Sequence, residues 1–235
     1  MMKVRKIQLL KDPTAGIPLL PVGYYPLLVI VMVSMLSLVV IIWEVFFEQD
    51  NAFDLRIFEY LSFRVNDRNT AVMQFFTFLG SYMFLIPAYL GWFALYWFAG
   101  GQKSYVARML TITVGNVLVM FGLKYIFSRQ RPLVPLITEV PGLSFPSGHA
   151  FLSLTFFAMI IFAFAPEIAV KWQRLLLQGI LMLVILLVGF SRLYLRLHYA
   201  TDVIAGFCFG FLSMVLLTWL TGKLSWFERI KLQSN

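Results

Sequence analysis

Six stretches of this 235-residue chain run for most of a bilayer's thickness almost without charge. They fall at residues 25–47, 72–98, 106–127, 150–165, 175–193 and 200–221, and the fourth is short and stops at Pro166. A membrane-spanning helix needs roughly 20 consecutive apolar residues. Inside hydrocarbon every backbone N–H and C=O must be satisfied within the segment, which leaves the helix as the local solution. The expected architecture is therefore all-α: an integral membrane bundle of six transmembrane helices, forming one domain over residues 1–235. Composition agrees, with 60% hydrophobic and only 13% charged residues, against about 25% charged in an average soluble domain. Disorder, a collagen-like rod and an ordinary water-soluble enzyme are excluded on that ground.

The polar remainder gives a direction. Eleven of the 19 lysines and arginines fall in the N-tail, the second and fourth loops and the C-tail. Cytoplasmic segments carry the excess of Lys and Arg, so both termini are expected in the cytoplasm. The first, third and fifth loops then lie outside, which in a bacterial inner membrane is the periplasmic side. Lys3, Arg5, Lys6 and Lys11 precede the first apolar run, which is too long for a signal peptide and lacks a small-residue cleavage site; it reads as a retained first helix. The connection 48–70 repeats Phe53, Ile57, Phe58 and Leu61 at helical spacing among Asp54, Arg56, Glu59 and Arg64. That pattern predicts a short amphipathic helix on the membrane surface after the first span. Two segments fit local packing or anchoring roles. Pro87 and Gly91 allow a kink in the second span; Gly206 and Gly210 suit close helix contact. Trp43, Trp97 and Trp226 near span ends fit interfacial belts. The net charge of +8 suits anionic head groups or phosphates. No basic stripe interleaves with aromatics, so nucleic acid is not an expected partner. The single cysteine, Cys208, excludes an intramolecular disulfide.

Three polar clusters interrupt the apolar chain, and six spans bring all three to one membrane face. The first covers residues 124–132, from Lys124 to Arg131-Pro132; the second is Pro146-Ser147-Gly148-His149; the third covers 191–202, from Ser191-Arg192 through His198 to Asp202. His198 and Asp202 are four apart and share a face on a helix. Asp202 would sit about one turn inside a span, where an unpaired carboxylate costs about 2.5 kcal/mol or more. An imidazole N–H is its natural donor, which would leave the other ring nitrogen free as nucleophile or base; a purely structural pair at a helix start is the alternative. Lys124, Arg131 and Arg192 reach the same face from three helix ends. Three cations repel unless an anion joins them, and arginine forks match phosphate oxygens. Arg129 and Arg196 read instead as cations snorkelling to lipid head groups. Ser147-Gly148 at a helix start offers free N–H groups to phosphate, with His149 beside it to give or take a proton.

Taken together, the clusters resemble the signature of the type 2 phosphatidic acid phosphatase family, the lipid phosphate phosphatases. That signature is Lys, six residues, Arg-Pro; Pro-Ser-Gly-His; then Ser-Arg, five residues, His, three residues, Asp. All eleven fixed positions stand here in order and spacing, from Lys124 to Asp202. The resemblance implies that His198 attacks phosphorus to form a phosphohistidine. It implies that Asp202 orients His198, and that His149 protonates the leaving oxygen and later activates water. Lys124, Arg131, Ser147, Gly148, Ser191 and Arg192 would hold the phosphoryl group. It implies no cofactor and no metal, with membrane lipids around the chain and a lipid phosphate or diphosphate as substrate: undecaprenyl diphosphate, phosphatidylglycerophosphate, phosphatidate or lipid A. Rival readings have less support. The carboxylates Glu48, Asp50, Asp54, Glu59 and Asp67 all lie in the first loop, away from the two histidines, which disfavours a metal hydrolase. A transporter would more often show repeats or broken helices at mid-membrane, and a non-catalytic lipid-binding protein would not need histidines in this register.

Overall fold

The helix at the centre is also among the shorter apolar ones. In a computed structural model, the chain is described over residues 24–98, 103–132, 134–137, 141–165 and 168–233, the side chains of 24, 103, 104 and 223–233 excepted. The helices are α1 (Tyr24–Ile42), which continues into a π-helical turn (Trp43–Phe47), α2 (Ala52–Ser62), α3 (Asp67–Leu79), α4 (Tyr82–Phe98), α5 (Lys103–Phe127), α6 (Gly148–Phe164), α7 (Lys171–Tyr194) and α8 (Ala200–Gln233). No strand occurs among the described residues. Four helical segments are long and apolar enough to cross a membrane: Tyr25–Phe47, Tyr105–Phe127, Lys171–Tyr194 and Ala200–Gly222. A fifth crossing arises if α3 and α4, bent by 42°, act as one. α6 is apolar but has only 17 residues, about 26 Å at 1.5 Å per residue. It packs chiefly against α8 and α7 and buries Ala150, Phe151, Phe156 and Phe157, so its neighbours shield much of it. Pro166 and the basic residues Lys3, Arg5, Lys6 and Lys11 lie outside the described residues, as does the side chain of Trp226.

The break in the second apolar run is not where proline suggested. α4 continues through Pro87, and the bend falls at Gly80–Ser81. The bend coincides with a close approach. A Cβ built on Gly80 would stand 2.4 Å from Val188 Cγ1 of α7 and 3.2 Å from His149 Cδ2 of α6. Ser81 Oγ donates to Phe78 O, satisfying one of the carbonyls at the end of α3.

Gly206 and Gly210 serve contact within the chain. A Cβ on Gly206 would lie 2.7 Å from Ser147 O, and one on Gly210 would lie 3.1 Å from Phe151 O. α8 thus presses its backbone on the start of α6. Below this contact, Ser213 Oγ donates to the buried Asn116 Oδ1, joining α8 to α5. Above it, Phe145 is fully buried in a ring of Phe46, Phe127 and Phe209, with centroids 5.1, 4.9 and 6.3 Å away. These aromatics fix the chain that leads into α6, and with it the ends of α5, α6, α7 and α8 that meet there.

Candidate active site

α8 begins with two side-chain caps that also shape the site. Its first turn contains Asp202, whose Oδ2 accepts from Tyr199 N at 2.9 Å, as an acidic residue at the third helical position does for the residue before the helix. The orphan N–H of Thr201 donates to Asp54 Oδ1 at 2.9 Å, a cap supplied by α2. His198 lies just before the helix, held by His198 N donating to Arg192 O. The preceding Arg196 turns the chain at φ 54°. His198 is 1% exposed and Asp202 fully buried. His198 Nδ1 lies 3.6 Å from Asp202 Oδ2. Ser144 fills the gap: its Oγ donates to Asp202 Oδ2 at 2.5 Å and stands 3.4 Å from His198 Nδ1. On the other edge of the ring, Arg131 Nη1 donates towards Nε2 at 3.3 Å. With Nε2 accepting, Nδ1 carries the proton and faces Ser144 and Asp202.

Three cations face this imidazole without an acidic partner. Lys124 Nζ, on the last turn of α5, donates to Leu143 O at 2.7 Å. Arg131 donates to Gly142 O at 3.0 Å and Leu197 O at 2.8 Å. Arg192, 2% exposed on the last turn of α7, donates to Thr77 Oγ1 of α3 at 2.5 Å, while its Nε has no partner. Among the described residues, the ion pairs of this region belong to Arg129, Asp54, Asp202 and His198; none includes these three cations. Burial pushes the His198 imidazole well below the usual histidine range, the nearby charges of Arg192, Arg131 and Lys124 push the same way, and a hydrogen bond with the Ser144 backbone opposes them. His198 is therefore neutral at neutral pH, with a free lone pair. Burial also lowers the Arg131 guanidinium, against the pull of Asp202, though an arginine stays charged regardless.

The remaining expected residues fall at the same end. Ser147 is fully buried, its N–H donates to Asp202 O at 2.9 Å, and its hydroxyl has no partner. Gly148 opens α6 beside Lys124: a Cβ there would be 3.7 Å from Lys124 Cε. His149 follows, half-buried against Gly80. Ser191 is buried, but its hydroxyl donates to Val188 O within its own helix.

Two expectations need correction. Arg129 does not snorkel: its side chain is 9% exposed and pairs with both Asp54 (2.9 Å) and Asp202 (2.7 Å). Asp54 is not remote: it is 1% exposed and turns inward with Ile57, Phe58 and Leu61, while Phe53 faces out. The period of α2 was legible, but a buried Asp is the exception that hydropathy places on the wrong face. Ser144 and Thr77 were missed as well. A serine two residues before Pro146 and a threonine in an apolar run carry no signal of their own.

Residues 105–226 match the PAP2 superfamily. Over 161 residues the chain is 29% identical to phosphatidylglycerophosphatase B of Bacillus subtilis (strain 168), covering 67% of this chain and 78% of that protein. The fold is similar to the crystal structure of a transmembrane PAP2 type phosphatidylglycerolphosphate phosphatase from Bacillus subtilis, with a TM-score of 0.73 and 23% identity over 82% of this chain and 96% of that one. It is also similar to LpxE of Aquifex aeolicus, with a TM-score of 0.53 and 24% identity over 72% of this chain and 96% of that one. At these identities the two structures bear on the fold alone.

Proposed function

The chain belongs to the PAP2 superfamily, and from that premise, with a relative named for its action on a lipid phosphate, we propose that it hydrolyses a membrane lipid phosphate or diphosphate through a phosphohistidine, without a metal or other cofactor. The observation that carries this reading is the set of three cations, Lys124, Arg131 and Arg192, which converge on a neutral imidazole and, apart from the contact of Arg131 with that ring, donate only to uncharged oxygens. A phosphoryl group supplies the missing anion. Ser147 Oγ and Arg192 Nε, both buried and unpartnered, are further donors for its oxygens. The free N–H groups at the start of α6 add to them, and Ser191 keeps a lone pair for a phosphate-bound proton.

The first step forms a bond from His198 Nε2 to phosphorus and breaks the bond from phosphorus to the lipid oxygen. His149, entering the step as the imidazolium, gives its proton to that departing oxygen and is left neutral. The imidazolium is stabilised by Asp202, directly and through Ser144. In the second step His149 takes a proton from water, the hydroxide oxygen bonds to phosphorus, and the N–P bond breaks to release inorganic phosphate. Dividing the reaction this way is covalent catalysis, and the cations hold the charge that spreads over the equatorial oxygens.

The whole chain, 1–235, acts as one six-span domain in this reading. α3 and α4 together make one crossing, and α6 makes another within the protein's own shelter. Both termini are cytoplasmic, α2 lies on the outer membrane surface, and the site faces the periplasm of a bacterial inner membrane. Phosphatidylglycerophosphate heads the substrates, because the B. subtilis relative carries that activity in its name; undecaprenyl diphosphate, phosphatidate and lipid A share the terminal phosphate chemistry. The test is phosphate release by detergent-purified protein from these four lipids in excess EDTA, with His198→Ala alongside. EDTA-resistant release by the wild type alone supports the reading, and the ranking of lipids names the substrate. Release that EDTA stops, or that survives His198→Ala, overturns it.

A further inference from the structure

Arg129 differs from the three cations around it in one respect: its charge is already spent. Nη1 donates to Asp202 Oδ1 at 2.7 Å and to Thr201 Oγ1 at 2.8 Å. Nη2 donates to Asp54 Oδ2 at 2.9 Å and to Asn51 Oδ1 at 2.6 Å. The guanidinium plane lies over the Tyr199 ring, 4.1 Å from its centroid. Both terminal nitrogens are occupied and one face is covered, so little of this cation is left for a phosphate. It spans two carboxylates that are 1% and 0% exposed.

We propose that Arg129 is a positioning residue for the His198–Asp202 pair, anchored from outside the helical core by Asp54 of α2; this rests on the phosphatase reading above. A carboxylate can direct only one oxygen at a time towards His198. By taking Asp202 Oδ1, Arg129 leaves Oδ2 for Ser144, Tyr199 N and His198, which fixes the carboxylate plane. Asp54 holds the other half of the fork while its two oxygens cap Thr201 N and accept from Thr201 Oγ1 at 2.9 and 2.8 Å. The loop after α5, the helix after α1 and the start of α8 thus share one buried cation. A fork this shape needs arginine, since lysine offers one nitrogen to two carboxylates. Removing the cation outright leaves two buried carboxylates uncompensated, which destabilises strongly, so the lysine variant is the primary probe.

The test measures kcat and KM of phosphate release for wild type, Arg129→Lys, Asp202→Asn and the double variant, with His198→Ala as the inactive control and thermal unfolding in detergent to confirm folding. Arg129→Lys is expected to lower kcat roughly 10- to 100-fold, the range found when a partner orienting a functional ligand is lost, with KM changed less than about twofold by comparison. In the Asp202→Asn background the same change is expected to cost under about threefold, since residues acting through one another are not additive. Asp54→Asn, which keeps the shape of α2's cap, gives a smaller loss of the same kind. Three outcomes overturn the inference: an unaltered kcat, a loss that multiplies with that of Asp202→Asn, or a raised KM at unchanged kcat, the last placing Arg129 with the phosphate-binding cations. Failure of the underlying phosphatase reading is distinguishable, because wild-type release would then be unaffected by His198→Ala.

Discussion

His198 owes its chemical readiness to its surroundings, and those make a pH prediction. Burial, with three cations nearby, keeps its ring neutral well below the usual histidine range. His198 is therefore expected to impose no acid limb near about 6.5, the ordinary histidine pKa; the limb attributable to it lies lower. The same shift has a stability consequence of fixed sign. Below about 6.5 an unfolded His198 takes up a proton that the native ring refuses, so this group's contribution to stability is complete above that pH and is lost as pH falls towards the folded value. A kcat profile and thermal unfolding across pH 4–8 check both; an acid limb centred at or above about 6.5 would contradict the burial argument. At this scale the sequence was informative wherever partners are near in number. His198 and Asp202 stand four apart and meet at 3.6 Å. It was silent where they are distant: Asp54 joins Arg129 across 75 positions and Thr201 across 147. Charge alone could not separate a cation paired to carboxylates from one awaiting a phosphate.

Helices were the most legible elements, because a run of apolar residues near 20 long has little choice of conformation in lipid. Bends and contacts were less so. Pro87 drew attention to α4, yet the break sits at Gly80, where backbone passes too close to Val188 and His149 for a side chain. No local signal distinguishes such a glycine from the exposed Gly91, whose Cβ would meet nothing within 4 Å. Gly206 offers the sharper test. A methyl there would stand 2.7 Å from Ser147 O, a backbone atom that can yield only by moving the start of α6. Gly206→Ala is expected to destabilise by about 1–3 kcal/mol, the usual cost of overpacking, and to lower kcat because Ser147 and His149 shift with the helix. The same substitution at Gly91 is expected to do neither. Thermal unfolding and turnover of the two variants, side by side, decide it; equal behaviour would mean that the α6–α8 contact is not tight in the working enzyme.

The whole molecule is an all-helical membrane protein with its polar chemistry gathered at one end, where α5, α6, α7 and α8 meet. In the proposed topology the gathering follows from alternation: each successive crossing returns the chain to one side or the other, and the three signature segments fall at connections of the same parity. Up to five crossings follow from helix length and apolarity; α6, the sixth crossing of the proposed topology, is too short to stand out by that measure and has its apolar surface largely covered by its neighbours. The proposed topology makes a prediction of its own. Single cysteines introduced at Arg56 and Gly142 in a Cys208→Ala background are expected to react with a membrane-impermeant thiol reagent in intact cells, whereas one at Gln173 is expected to react only after permeabilisation. The reverse pattern would turn the site to the cytoplasm.

The central claim is that His198 becomes covalently phosphorylated. The most direct measurement is a rapid alkaline quench of purified protein turning over a lipid labelled with radioactive phosphate, followed by peptide mapping. Phosphohistidine survives alkali and is lost in acid. The account predicts label on the peptide carrying His198, discharged by acid and absent in His198→Ala. Lipid phosphate hydrolysed at full rate with no label on that histidine at any time of quench would contradict it.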